Sequence, residues 1–280
     1  MLKLLLPNPA ALLETGKTKT LIIADPHLGW EINLQNKGIH IPSQTTKLLE
    51  KLVGMLSKHK PDMLLILGDI KYTVVTAKAG EWHDIPEFFS HLENCVKAIA
   101  IVRGNHDANL EQLLPERVKL LPATGTILGA VGFFHGHKWP SPTLLKCKTL
   151  MMGHLHPVVV FRDPAGFKIT KQVWVKAKCD TTQLSKIFLK KQRIRIEGTP
   201  EETVKKHFNF LPKTCQLFIM PSFNDFLGGR PINKTKPQKR EQTRAIIGPV
   251  LRSDAVDLDN SEIYLLDGTY LGTLNQLRRM

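Results

Sequence analysis

Five short apolar runs, each stopping at a side chain that can bind a metal, constrain this chain more than any other feature. Thr20–Ala24 runs into Asp25-Pro26-His27. Met63–Leu67 runs into Gly68-Asp69, and Ala98–Val102 into Arg103-Gly104-Asn105-His106-Asp107. Ala130–Phe134 is followed by His135-Gly136-His137, and Thr149–Met152 by Gly153-His154-Leu155-His156. Apolar runs of this length bounded by turn formers read as fully buried strands. Ser43–His59 has apolar residues at helical spacing, with Ser43 placed as N-cap. Ile85–Lys97 repeats the pattern with Pro86 near its start. Strands alternating with helices predict βαβ units and parallel strands, whose C-terminal edge is where ligands bind.

The residues at that edge are Asp25, His27, Asp69, Asn105, His135, His154 and His156. Any one of them alone would be an ordinary capping or core residue, Asp25-Pro26 a turn, and Asn105 a left-handed turn residue. Five successive strand ends carrying the same chemistry are not explained by packing. Carboxylate, amide oxygen and imidazole suit borderline first-row metals. Seven donors exceed what one ion needs and suit two ions sharing a carboxylate, about 3.5–4 Å apart. Strand alternation would turn both members of Asp25-x-His27 and of His154-x-His156 to one side. Glycines at 68, 104, 136 and 153 would allow close backbone approach beside them.

Together these segments resemble the five motifs of calcineurin-like metallophosphoesterases, in the family's order, over residues 20–157. The resemblance implies an α/β fold, a four-layer α/β/β/α sandwich of two mixed sheets. It implies that Asp25, His27 and His156 hold one metal, Asn105, His135 and His154 the second, and Asp69 bridges them. His106 would stand beside the metals and protonate the leaving oxygen or steady the phosphate, with Asp107 orienting it. Two divalent ions are implied, Mn²⁺ first, with Fe or Zn²⁺ as alternatives. The chemistry is consistent with that assignment: two cations screen an anionic diester and acidify a bridging water, giving a hydroxide nucleophile. A neighbouring imidazole can pass a proton to the leaving alkoxide.

The second half predicts further strands at 158–161, 171–179 and 214–220, and a hairpin at 261–275 turning at Asp267-Gly268. They read as a second sheet of one domain spanning 1–280, with insertions at 180–210 and 231–247. The chain carries 39 Lys and Arg against 25 Asp and Glu, net +14 with a pI near 9.7. Much of the excess falls in Lys186–Arg195 and Arg230–Arg244, which suits either a solvated face or contact with a phosphate backbone. Lys234–Arg244 reads as a flexible loop. The stretch Pro221-Ser-Phe-Asn-Asp-Phe-Leu-Gly-Gly-Arg230 is similar to one in a microbial subgroup of this family linked to repair helicases and DNA ligases. That implies a nucleic-acid partner and a helicase or ligase. Tyr72 departs from the histidine common there. Tyr72, His137 and Arg230 are candidate substrate contacts, Asn224 and Asp225 candidates for the site rim, and Trp30 a base-stacking or a packing residue.

Four dispersed cysteines without a CxxC pair predict reduced thiols in a cytoplasmic protein. The start, Met1–Leu13, is broken by Pro7 and Pro9 and does not read as a signal peptide, and no apolar run is long enough to span a bilayer. The activity expected is two-metal hydrolysis of phosphodiesters, in nucleic acid as in repair nucleases. The alternatives are hydrolysis of nucleotides or other small phosphate esters, and a catalytically silent interaction module. No expected ligand is missing, which disfavours the module.

Overall fold

The computed structural model describes residues 1–35, 37–39, 41–75, 77–234 and 248–279. The chain divides into two compact units. The first is Met1–Pro122 with Ser222–Gly228, and the second is Ala123–Pro221 with Gly229–Met280.

The first unit is built on a six-stranded mixed sheet. Its strands, in spatial order, are β1 (Leu2–Leu4), β2 (Ala11–Thr15), β3 (Thr18–Ala24), β4 (Met63–Leu67), β5 (Ala98–Val102) and β6 (Val118–Leu121). The pairs β1–β2 and β2–β3 are antiparallel, while β3 to β6 are parallel. Leu21–Ala24 of β3, and β4 and β5 throughout, are apolar because both faces of these segments are buried. Leu21, Ile23, Leu64, Ile66, Ile99 and Ile101 form one core with Leu48, Leu52, Phe88, Phe89 and Leu92. The opposite row, Ile22, Leu65 and Ala100, is equally buried.

Helices α1 (Ile32–Gln35), α2 (Thr45–His59) and α3 (Ala79–Glu93) belong to this unit. Gln44, not Ser43, is the N-cap of α2. The Ser43 hydroxyl donates to Asp84 and accepts from the Thr45 N–H. Helix α3 starts earlier than the apolar spacing predicts, with Pro86 in its interior. Glu81 sets that start by accepting the Lys78 N–H at 2.9 Å, a reach-back contact that local hydrophobicity does not reveal.

The second unit contains a nine-stranded mixed sheet. Its strands are β7 (Thr126–Leu128), β8 (Val131–Phe134), β9 (Thr149–Met152), β10 (Pro157–Arg162), β11 (Lys168–Cys179), β12 (Gln216–Ile219), β13 (Arg230–Pro231), β14 (Val256–Leu265) and β15 (Tyr270–Thr273). The order is β13-β10-β11-β12-β9-β8-β7, with β14 paired to β11 and β15 to β14. Strands β8, β9 and β12 run parallel, as do β10 and β13. The five motif-bearing strands are therefore split, three in the first sheet and two in the second. Residues 180–210 contain α4 (Thr181–Lys191) and α5 (Pro200–Phe208), capped by Asp180 and by the Thr199–Glu202 capping box. Leu184 and Phe188 anchor α4 in a small core, while Lys186, Lys190, Lys191, Arg193 and Arg195 are exposed. A last short helix, α6 (Leu274–Leu277), follows β15. The basic stretch after Lys234, and with it most of the expected insertion at 231–247, lies outside the described residues. Among the described residues no helix is long and apolar enough to cross a membrane.

Candidate metal centre

In the first unit the pairing of β3 with β4 continues past both strand ends. Asp25 N–H donates to the Gly68 carbonyl, His27 N–H to Asp69, Leu28 N–H to Ile70, and Tyr72 N–H back to Leu28. The first two motifs are thus stitched in register by main chain. Asp25, His27 and Asp69 all have positive φ, at 54°, 42° and 52°. His154 and His156 in the second unit do too, at 67° and 46°. Each such residue carries strain of order 1 kcal/mol or more. Strand alternation therefore does not aim Asp25-x-His27 or His154-x-His156, because β3 has ended at Ala24 and β9 at Met152. Left-handed turns at the donors themselves aim them.

Asp69 is buried and its two oxygens have different tasks. Oδ1 accepts the His106 N–H at 2.9 Å. Oδ2 lies 3.5 Å from His27 Nε2 and 3.9 Å from His106 Nε2. His27, Asp69 and His106 thus offer ligand atoms all within 4.8 Å of one another. The rings of His27 and His106 meet edge to face at 4.8 Å. Gly104 makes this approach feasible, because a Cβ there would stand 2.2 Å from Asp69 Oδ1. Asn105 is half-buried on the bend after β5.

His106 and Asp107 are both held by main-chain groups. The His106 ring is held by the Tyr72 carbonyl, 2.5 Å from Nδ1. A carbonyl only accepts, so Nδ1 carries a hydrogen and Nε2 is the nitrogen whose proton is exchangeable. Asp107, fully buried, receives three main-chain N–H groups. Its Oδ2 accepts from Asp69 at 2.8 Å and Gly104 at 2.7 Å, and its Oδ1 accepts from Ile70 at 2.8 Å. It ties the second motif to the third.

Three supports were not legible in the sequence. Ser222 Oγ donates to the Asp25 carbonyl at 2.7 Å, and Phe223 N–H to the Ala24 carbonyl. Asn224 Nδ2 donates to the carbonyls of Pro26 and His27, at 2.9 and 3.4 Å. Both polar side chains are buried, so Asn224 acts beneath the first motif, not on a rim. Asp225 pairs with Lys51 at 2.8 Å. The third support is Lys71. Its side chain is fully buried, and Nζ donates to the Thr73 and Val74 carbonyls. Burial pushes its ammonium below the usual range, with Glu81, Asp107 and Asp69 pulling the other way. The only local clue was a lysine two residues beyond a candidate ligand. Trp30 stacks on Phe226, centroids 5.6 Å apart and planes within 12°.

The second unit gathers its own imidazoles. His135 is buried, and its carbonyl accepts the Gly153 N–H at 3.1 Å, which locks the fourth motif to the fifth. The ring centroid of His135 lies 4.8 Å from His154 and 5.1 Å from His137, and His137 lies 6.1 Å from His154. His137 thus joins the expected ligands as a third ring of one cluster. Arg230 N–H donates to the His156 carbonyl at 2.8 Å, so the contact seen for Arg230 in this unit is main-chain support of the fifth motif. Gly229 permits it, because a Cβ would stand 2.6 Å from that carbonyl oxygen.

Buried carboxylate and imidazole donors, held in strained turns and anchored from behind, fit a divalent first-row metal. The sequence profile of the calcineurin-like phosphoesterases matches residues 18–191, more than half of the chain. The chain belongs to that family and is a metal-dependent hydrolase of phosphoric esters. Among solved structures, the nuclease MPE of Pseudomonas putida is 19% identical, with a TM-score of 0.49 over 95% of this chain and 98% of that one. Protein AQ665 of Aquifex aeolicus, of unknown function, is 22% identical, with a TM-score of 0.35 over 49% and 78%. The E. coli phosphoesterase YfcE is 20% identical, with a TM-score of 0.33 over 51% and 73%. Comparison with curated proteins found no match.

Proposed function

We propose that this chain is a two-metal phosphodiesterase acting on nucleic acid. The observation that carries the reading is Asp69, buried at the strand end with Oδ1 anchored by the His106 main-chain N–H and Oδ2 3.5 Å from Nε2 of the proposed ligand His27. A buried carboxylate anchored in this way is suited to bridging two ions. Asp25, His27 and His156 would hold one ion, and Asn105, His135 and His154 the other. Family membership supports this division. When bound, such ions neutralise phosphate charge and make a water molecule acidic near neutral pH. Mn²⁺ is the first choice, with Fe or Zn²⁺ next.

The residues of the chain supply the rest. The Tyr72 carbonyl fixes the ring of His106, leaving Nε2 to deliver a proton to the leaving oxygen. Asp107 fixes the backbone on which Asp69 and His106 stand. Tyr72, His137 and Arg230 would contact substrate. A nucleic-acid substrate is supported by the net charge of +14 and by the exposed cations of α4 and the segment after it. A repair helicase or ligase as partner and a cytoplasmic, reducing setting belong to the same reading, from the late Pro221–Arg230 segment and the unpaired cysteines.

Protein stripped of metal and reloaded with Mn²⁺ should hydrolyse bis(p-nitrophenyl) phosphate and oligonucleotides, with oligonucleotide affinity falling steeply with salt. His106→Ala should abolish turnover and keep the metals. Loss of metal from that variant would make His106 a ligand, and inactivity with every divalent ion would leave the silent-module alternative.

A further inference from the structure

A cavity of about 330 Å³ opens in the first unit beside His106, walled by Ile32, Tyr72, Thr73, Val74 and Lys78. Its size is at the small end of ligand pockets, which run about 300–1,000 Å³. Three features make it a built site. Its floor is rigid, because the buried Lys71 ammonium holds the Thr73 and Val74 carbonyls. Glu81 accepts the Thr73 N–H at 2.8 Å and its hydroxyl, and it also accepts the Lys78 N–H. One wall is His106 itself, fixed by the carbonyl of another lining residue, Tyr72. The remaining walls are an aromatic ring and two aliphatic side chains, with a single exposed cation, Lys78, among the lining residues.

We propose that this cavity is the leaving-group subsite and that it takes one unstacked nucleoside, its base against Tyr72, Ile32 and Val74. The inference rests on the phosphodiesterase reading above, in which His106 stands next to the leaving oxygen. Whatever that oxygen carries must then lie beyond His106, and the cavity is what lies there. In the reaction a water oxygen bonds to phosphorus and gives up a proton to solvent, the bond from phosphorus to the leaving oxygen breaks, and His106 supplies the proton that oxygen needs and regains one from solvent. The walls offer a flat aromatic face and aliphatic contact, which every base accepts and which select for no particular sequence. A base held in a duplex stack cannot enter, so the substrate is single-stranded or frayed at the cleaved bond. Lys78 is suited to the next phosphate along the strand.

The test compares two diesters whose leaving alkoxides are of similar basicity but unequal size. One is the dinucleotide TpT. The other is the methyl ester of thymidine 3′- or 5′-phosphate, whichever matches the products formed from TpT. The Mn²⁺-loaded full chain should prefer TpT at least tenfold in kcat/KM. Val74→Trp should fill the cavity and bring that ratio to about one. Val74 is half-exposed, so the larger side chain can be accommodated, and Val74→Lys is a second way to fill the cavity. Metal content and melting temperature equal to wild type show that the fold is intact. A wild-type ratio near one, or a ratio unchanged in both variants, overturns the subsite while leaving the phosphodiesterase reading standing. Failure of the wild type to cleave either diester while it cleaves an oligonucleotide overturns the subsite alone, and failure on the oligonucleotide too, with Mn²⁺, Fe²⁺ or Zn²⁺, overturns both.

Discussion

Replacing Asp107 by Asn tests whether this carboxylate is a backbone anchor. In the native site Oδ2 takes the Asp69 and Gly104 N–H groups and Oδ1 takes Ile70, all at 2.7–2.8 Å and fully buried. Asparagine has one carbonyl oxygen. Placed at the Oδ2 position, it keeps two of the three bonds but turns its own NH₂ onto the Ile70 N–H, donor against donor. The variant loses one charge-assisted hydrogen bond, about 1.5–3 kcal/mol, and weakens the other two. A destabilisation of about 2–4 kcal/mol follows, a large share of a typical total of about 5–15 kcal/mol. With an m-value of about 2–3 kcal/mol/M in urea, the midpoint of the first unit's transition should fall by about 1–2 M. Equilibrium urea unfolding of metal-free protein, followed by far-UV circular dichroism, measures it. A midpoint within about 0.2 M of wild type would refute the argument, and the role implied by the resemblance, orienting His106, would then be the better account.

Three further expectations follow from individual contacts. Asn224→Ala removes two donors from the carbonyls beneath Asp25–His27, costing about 1–3 kcal/mol. Mn²⁺ binding by calorimetry should weaken too, and Asn224→Asp, which keeps the acceptor for the Phe226 N–H, should not restore it. Alkylation of native protein at about pH 8 should label the exposed Cys95 and Cys215 and spare Cys147 and Cys179, as read by intact mass. Burial lifts the Cys179 thiol to about 12 and the Cys147 thiol in the same direction. Glu262 is held below the ordinary 4.5, first by the Tyr264 hydroxyl and then by Lys176. A lowered carboxylate contributes stability that is present above pH 4.5 and lost as pH falls through its folded value. Its side chain is about a third exposed, so Glu262→Gln should flatten the acid limb of a melting-temperature profile by less than ~1 kcal/mol.

The central strands and the residues at their ends were legible because β3, β4 and β5 are buried on both faces, and an apolar run that stops at Asp or Gly-Asp is local information. What aims those residues was not legible. Positive φ at Asp25, His27, Asp69, His154 and His156 leaves no trace in sequence, because none of the five is glycine. The Tyr72 carbonyl on His106 is a main-chain contact and is therefore silent about residue type. Ser222 and Asn224 reach the first motif from almost 200 residues away, and only the fold shows that pairing. Helix α3 departs from its apolar spacing for a related reason. Pro86 normally marks a first turn, but the Glu81 contact fixes the start six residues earlier, at Ala79, and packing of Ile85, Phe88, Phe89 and Leu92 outweighs the missing N–H.

Electron paramagnetic resonance of metal-free protein titrated with Mn²⁺ examines the binuclear assignment most directly. Two Mn²⁺ per chain sharing the Asp69 carboxylate should give a spin-coupled spectrum at saturation, and Asp69→Ala should lose it. Saturation at one ion, or two ions giving the six-line pattern of isolated Mn²⁺, would contradict the assignment.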